Sequence, residues 1–115
     1  FPDLDFGIAT KLLTRVISKP GANRLTLDLG HKAVAAENPI ERRVFFDQVP
    51  DAIPVMQSEE HLVIETVEAE SFSPGDWLLG VPQHICPTVA LHAQAYVVRH
   101  GKSTGESWHA TARER

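Results

Sequence analysis

The segment "RLTLDLG", residues 24–30, alternates Leu25, Leu27 and Leu29 with Thr26 and Asp28. Successive side chains of an extended chain point to opposite faces, so the leucines share one face and the polar residues the other. That is the signature of a strand with one side in a core and the other in water. Upstream, "KLLTRVISK" (11–19) is rich in branched residues and is expected to stop at Pro20-Gly21, which favour a turn. "RRVFF" (42–46), "HLVIETVEAE" (61–70) and "SPGDWLLGVP" (73–82) read as further strands, the last fed by the turn residues Pro74, Gly75 and Asp76. "QAYVVRH" (94–100) and "SWHATARE" (107–114) read as two more, joined by a glycine-containing connection of the hairpin kind. "GIATKLLTRV" has some helical periodicity, and "PTVALHA" is long enough for one helical turn with Pro87 at its first position. Six or seven short, regularly spaced strands argue for an all-β domain, a small barrel or a sandwich.

Composition narrows the function classes. The chain has 115 residues, enough for one domain, with 43% hydrophobic and 23% charged residues. The net charge is −4 and the basic residues are scattered, which leaves no electrostatic footprint for nucleic acid. No apolar run approaches the roughly 20 residues of a membrane helix. A single cysteine, Cys86, excludes an internal disulfide, and the expected location is the cytoplasm. The chain opens on Phe1 and its one methionine is Met56, as expected of a piece of something longer.

Chemistry concentrates in "PQHICPTVALH" (82–92). Residues two apart in an extended segment face the same side, so His84 and Cys86 can converge on one ion. Imidazole with thiolate suits zinc, and two protein ligands leave positions open for water or substrate. The alternative is a cysteine packed in the core beside a loop histidine, which the spacing alone favours. In "SEEHLVIE", His61 beside Glu59 and Glu60 is either an acid–base group or part of a polar turn opening a strand. In "LDLGHKA", Asp28, Gly30 and Lys32 either position a ligand or form a turn. Trp77 and Trp108 are expected in the core, and Arg42-Arg43 in a solvated turn. His31, His92, His100 and His109 show no pairing.

Read in order, "RVISKPGANRLTLDLGHKAVAAE", "SEEHLVIE", "PGDWLLGVPQHICPTVALH" and "YVVRHGKSTGESWHATARE" resemble the C-terminal domain of the D-serine dehydratase-like and D-threonine aldolase-like enzymes. These are metal-activated pyridoxal phosphate enzymes of the alanine racemase type of fold. The resemblance runs from about Thr14 to Arg113 and implies a small antiparallel β barrel with at most one or two short helices. It implies that residues 1–115 form a single β domain, the C-terminal part of a two-domain lyase acting on β-hydroxy D-amino acids. Pyridoxal phosphate would sit on a lysine of an N-terminal α/β barrel, which 115 residues cannot contain, so the chain alone should be inactive. The metal ligands implied are His84 and Cys86, with zinc as the ion and a lean towards the dehydratase side. His61 falls in the family's E-E-H-G motif as a catalytic candidate, with Leu62 in place of the glycine. Gln83 stands for the usual asparagine and His31 for the usual small residue. The family also implies a homodimer. The other readings are a non-catalytic β module that binds a partner protein, and a racemase of the same fold.

Overall fold

The alternating leucines lie where the pattern puts them in the computed structural model, which describes residues 5–113. Strand β2 (Arg24–Leu27) has Leu25 and Leu27 fully buried, and Leu29 follows them into the core. On one side β2 pairs with β1 (Leu12–Gly21) and on the other with β5 (Leu62–Glu65), where Leu25 faces Ile64 and Leu27 faces Leu62. β3 (Val44–Phe46), β4 (Ile53–Gln57) and β6 (Trp77–Pro82) complete one antiparallel sheet in the order β3-β6-β1-β2-β5-β4. The sheet curls into a half-barrel around Val16, Leu25, Leu27, Leu29, Val44, Phe46, Leu62, Ile64 and Leu78. The edges, β3 and β4, do not pair, and a cavity of about 280 Å³ lies between them, lined by Phe45, Phe46 and Pro54 among others.

Three departures from expectation have local causes. β1 takes in Pro20-Gly21 as its last two residues instead of ending before them, because register shifts after Val16 and Ser18 absorb the irregular end. β4 escapes a reading by pattern because it contains Pro54; it is an edge strand, where a missing N–H is tolerated, and its ladder shifts register just after that proline. The helical periodicity of residues 7–16 is overridden, since Leu12–Arg15 pair with Trp77–Gly80.

Helix is scarce. A five-residue helix α1 (Ile85–Val89) and 3-10 turns at Ile40–Arg42 and Ala69–Ser71 are the helical elements among the described residues. No helix there is long and apolar enough to cross a membrane. After α1 the chain forms a separate hairpin, β7 (Gln94–Arg99) with β8 (Lys102–His109). Its two-residue turn, His100-Gly101, has positive φ at both positions, 51° and 75°. That conformation matches the strand twist and favours glycine at the second position.

The tryptophans are not in the core. Trp77 is 57% and Trp108 65% exposed. In β6 the buried parity belongs to Leu78, Gly80 and Pro82, which turns Trp77 outward. Trp108 lies on the hairpin, whose side chains are almost all exposed. Arg42 is exposed as expected, but Arg43 is half-buried and structural: it donates to the Asn38 carbonyl at 2.7 Å and to Gln57 Oε1 at 2.7 Å.

Candidate metal centre at one end of the sheet

β2, β4 and β6 end, and β3 and β5 begin, at the same end of the sheet. The connections spanning residues 28–43, 58–61 and 83–93 therefore gather there. Their backbones interlock. His31 N donates to the Ser58 carbonyl at 2.9 Å and Lys32 N to the Glu59 carbonyl at 3.1 Å. Gly30 makes this approach possible, since a Cβ there would overlap the Glu59–Glu60 peptide. Lys32 Nζ bridges Glu60 at 2.9 Å and Glu59 at 3.2 Å. Its hydrogen bond to Glu60 holds that carboxyl below, and the ammonium above, its ordinary pKa. Gln57 donates to the Leu29 carbonyl at 2.9 Å, and Gln83 N to the Arg43 carbonyl at 2.9 Å, so Arg43 and Gln57 link this end continuously to the segment before His84.

The Asp28 carboxylate turns to β1 instead of to these turns. It accepts from Thr14 Oγ1 and from Arg15 N, both at 2.6 Å, and so binds β1 to β2. His61 closes the turn of residues 58–61: its carbonyl accepts from Ser58 N at 2.8 Å and its N–H donates to Ser58 Oγ at 3.3 Å. Among the described residues its ring has no hydrogen-bond partner. His92 does have one, because its Nε2 meets the Ala33 carbonyl at 2.7 Å.

His84 and Cys86 open α1. The backbone is extended at His84, the residue before the helix, while Cys86 already lies in the first turn. The pair is therefore a helix-start arrangement, not two positions on one face of a strand. Cys86 is exposed, which removes the core-cysteine alternative. His84 is half-exposed, and its Nδ1 is hydrogen-bonded to Oε1 of Glu37, 47 residues earlier. This contact holds the Glu37 carboxyl below its ordinary pKa. Thr88 is buried and spans the same two segments: its hydroxyl donates to the His84 carbonyl at 2.8 Å and accepts from Ala35 N at 3.0 Å. Sequence reasoning missed both Glu37 and Thr88. Thr88 carried a faint signal, a threonine four residues after His84 in a helical segment, which is placed to bond back to that carbonyl. Glu37 carried none.

The donor set fits a divalent ion. With Nδ1 facing a carboxylate, His84 keeps Nε2 free, and the Cys86 thiol is accessible. Among the described residues no three His, Cys, Asp or Glu side chains are arranged to hold a metal.

Comparison with known proteins gives the family and the fold. Residues 9–98 match the family described as "Putative serine dehydratase domain", and the chain belongs to that family. Among solved structures, the D-threonine aldolase of Filomicrobium marinum aligns at a TM-score of 0.78 and 24% identity, over 90% of this chain and 28% of its own. An alanine racemase-like protein of Idiomarina loihiensis aligns at 0.68 and 25% identity, over 86% and 30%. D-threo-3-hydroxyaspartate dehydratase of a Delftia species aligns at 0.68 and 18% identity, over 86% and 31%. Variants of that dehydratase with a histidine or, two positions later, a cysteine replaced by alanine align equally well, the latter in a metal-free form. The chain thus spans less than a third of the length of these proteins. No curated protein matches it.

Proposed function

We propose that this chain is the C-terminal domain of a pyridoxal phosphate- and metal-dependent lyase acting on β-hydroxy D-amino acids. Membership of the serine dehydratase domain family over residues 9–98 carries the reading. Support comes from two accessible donors, His84 and Cys86, with the spacing of the two residues replaced in the dehydratase variants. His84 binds through Nε2 and Cys86 through its sulfur, leaving positions open for the substrate. A bound divalent ion, zinc by the softness of this donor set, supplies Lewis acidity toward the substrate's β-hydroxyl. Pyridoxal phosphate, held by the part of the enzyme outside this chain, supplies the electron sink. His61, on the turn fixed against Lys32, is assigned proton transfer. Cys86 favours dehydration over aldol cleavage. The full-length enzyme is proposed to be a cytoplasmic homodimer.

The deciding experiment assays the full-length protein with D-serine, D-threonine and D-threo-3-hydroxyaspartate, with and without chelator. Turnover that falls on chelation and returns with zinc is expected. Turnover of none of the three, or turnover indifferent to chelation, overturns the reading. The likeness to an alanine racemase-like protein keeps racemisation as a second reading. D-alanine turnover insensitive to chelator would select it.

A further inference from the structure

We propose that Glu37 is the positioning residue of His84: its carboxylate takes the Nδ1–H, fixes the tautomer, and leaves Nε2 as the nitrogen that meets the metal. This deepens the reading above and rests on it. An isolated contact between half-exposed side chains would carry little weight, because exposed ion pairs contribute little and are easily rearranged. Here the segment bearing Glu37 is fastened on both sides of it. The Ala33 carbonyl is held by the His92 ring at 2.7 Å. Ala35 N is held by buried Thr88 at 3.0 Å. The Asn38 carbonyl is held by Arg43 Nε at 2.7 Å.

The histidine is fastened to the same frame. Thr88, which accepts from Ala35 N–H, donates its own O–H to the His84 carbonyl. One buried hydroxyl therefore sets the distance between the backbone carrying the carboxylate and the backbone carrying the imidazole. A neutral imidazole has one N–H and one lone pair. A carboxylate only accepts, so the proton belongs on Nδ1 and the lone pair on Nε2. A ligand histidine whose other nitrogen donates to a carboxylate is oriented and made more basic, which matters most where only two protein ligands are offered.

The test is cobalt(II) titration of the metal-stripped full-length protein against a competing chelator, with the visible spectrum recorded for wild type, E37A, E37Q, H84A and C86A. E37A is expected to weaken cobalt binding roughly 10–100-fold, the range for loss of an outer-shell partner. E37Q keeps an acceptor oxygen and should recover part of that loss. Both variants should retain the thiolate-to-cobalt charge-transfer band and the wild-type d–d intensity, because the ligands are unchanged. Circular dichroism of E37Q confirms folding if E37A proves unstable. Unaltered affinity in E37A, with H84A and C86A impaired, overturns the proposal alone. Equal losses in E37A and E37Q with an altered d–d spectrum also overturn it, since Glu37 would then be a ligand itself. Unaltered affinity in H84A and C86A overturns the metal site on which it rests.

Discussion

Gly30 lies against the peptide joining Glu59 to Glu60 so closely that a Cβ would overlap the Glu59 carbonyl carbon and oxygen and the Glu60 nitrogen. The obstacle is backbone on a turn already bonded to residues 31 and 32, so it cannot swing aside as a long side chain would. Gly30→Ala should therefore lower stability by about 3 kcal/mol, the upper end of ordinary overpacking. Urea denaturation of the purified variant measures this. A loss under about 0.5 kcal/mol, the scatter of neutral surface changes, would contradict the juxtaposition.

Asp28→Ala tests a different part of the frame. The carboxylate serves Thr14, whose hydroxyl is buried, and the N–H of Arg15. Truncation leaves both donors unpaired and should cost about 1–3 kcal/mol. Because Asp28 faces β1 and not the end bearing His84, cobalt affinity of the full-length protein should be unchanged in this variant. A metal-binding defect without a stability defect would return Asp28 to the site.

The inner face of β2 is legible because leucine alternation and burial obey one period, whereas β5 shows in its branched residues and β6 in the turn Pro74-Gly75-Asp76 that feeds an apolar run. β4 was not legible, because Pro54 contradicts the pattern and only its edge position excuses it. Trp77 and Trp108 misled because apolar character was weighed without parity in one case and without a packing partner in the other. At the site, donor type and motif order single out His84 and Cys86 as candidates, while the argument from two positions of an extended segment fails because Cys86 lies in the first turn of α1. Glu37 was invisible for a topological reason. Its nearness to His84 arises only once Thr88 and Arg43 tie the loop of residues 33–38 to the far end of β6, and no local pattern encodes a contact across 47 residues.

Exposure of the two tryptophans gives a spectroscopic expectation. In the isolated chain both should be accessible, so iodide should quench nearly all of the fluorescence, and W108F should leave the remaining emission equally quenchable. A protected fraction lost in W108F would mean that β8 packs on the sheet, contrary to the separate hairpin. The register pairs Trp108 with Ala95 on one face of the hairpin and leaves Tyr96 and Val98 on the other, so both faces carry exposed apolar side chains that the remainder of the proposed full-length enzyme would cover. Quenching should accordingly fall there.

One contribution to acid sensitivity can be isolated at a carboxylate at the opposite end of the sheet. Asp51 accepts from Val67 N at 2.9 Å and from the hydroxyl of buried Thr66 at 2.8 Å. These bonds, that of Val67 first, favour the ionised form and hold the Asp51 carboxyl below its ordinary pKa. A depressed folded-state pKa stabilises the fold fully above the unfolded value, about 3.9 for aspartate, and that stabilisation disappears as pH falls through the folded value. Glu37 and Glu60 are held below their ordinary values as well, so a pH profile of the wild type alone would mix all three. Comparison with Asp51→Asn isolates one of them, since the other two are common to both proteins and cancel. Asparagine is nearly isosteric and keeps a single acceptor oxygen, so the variant should fold. The stability gap between wild type and variant, read by urea denaturation, should be constant from about pH 7 to about pH 5 and should close below about pH 4. A gap that stays the same down to the acid limit would mean that Asp51 contributes through shape and not through its charge.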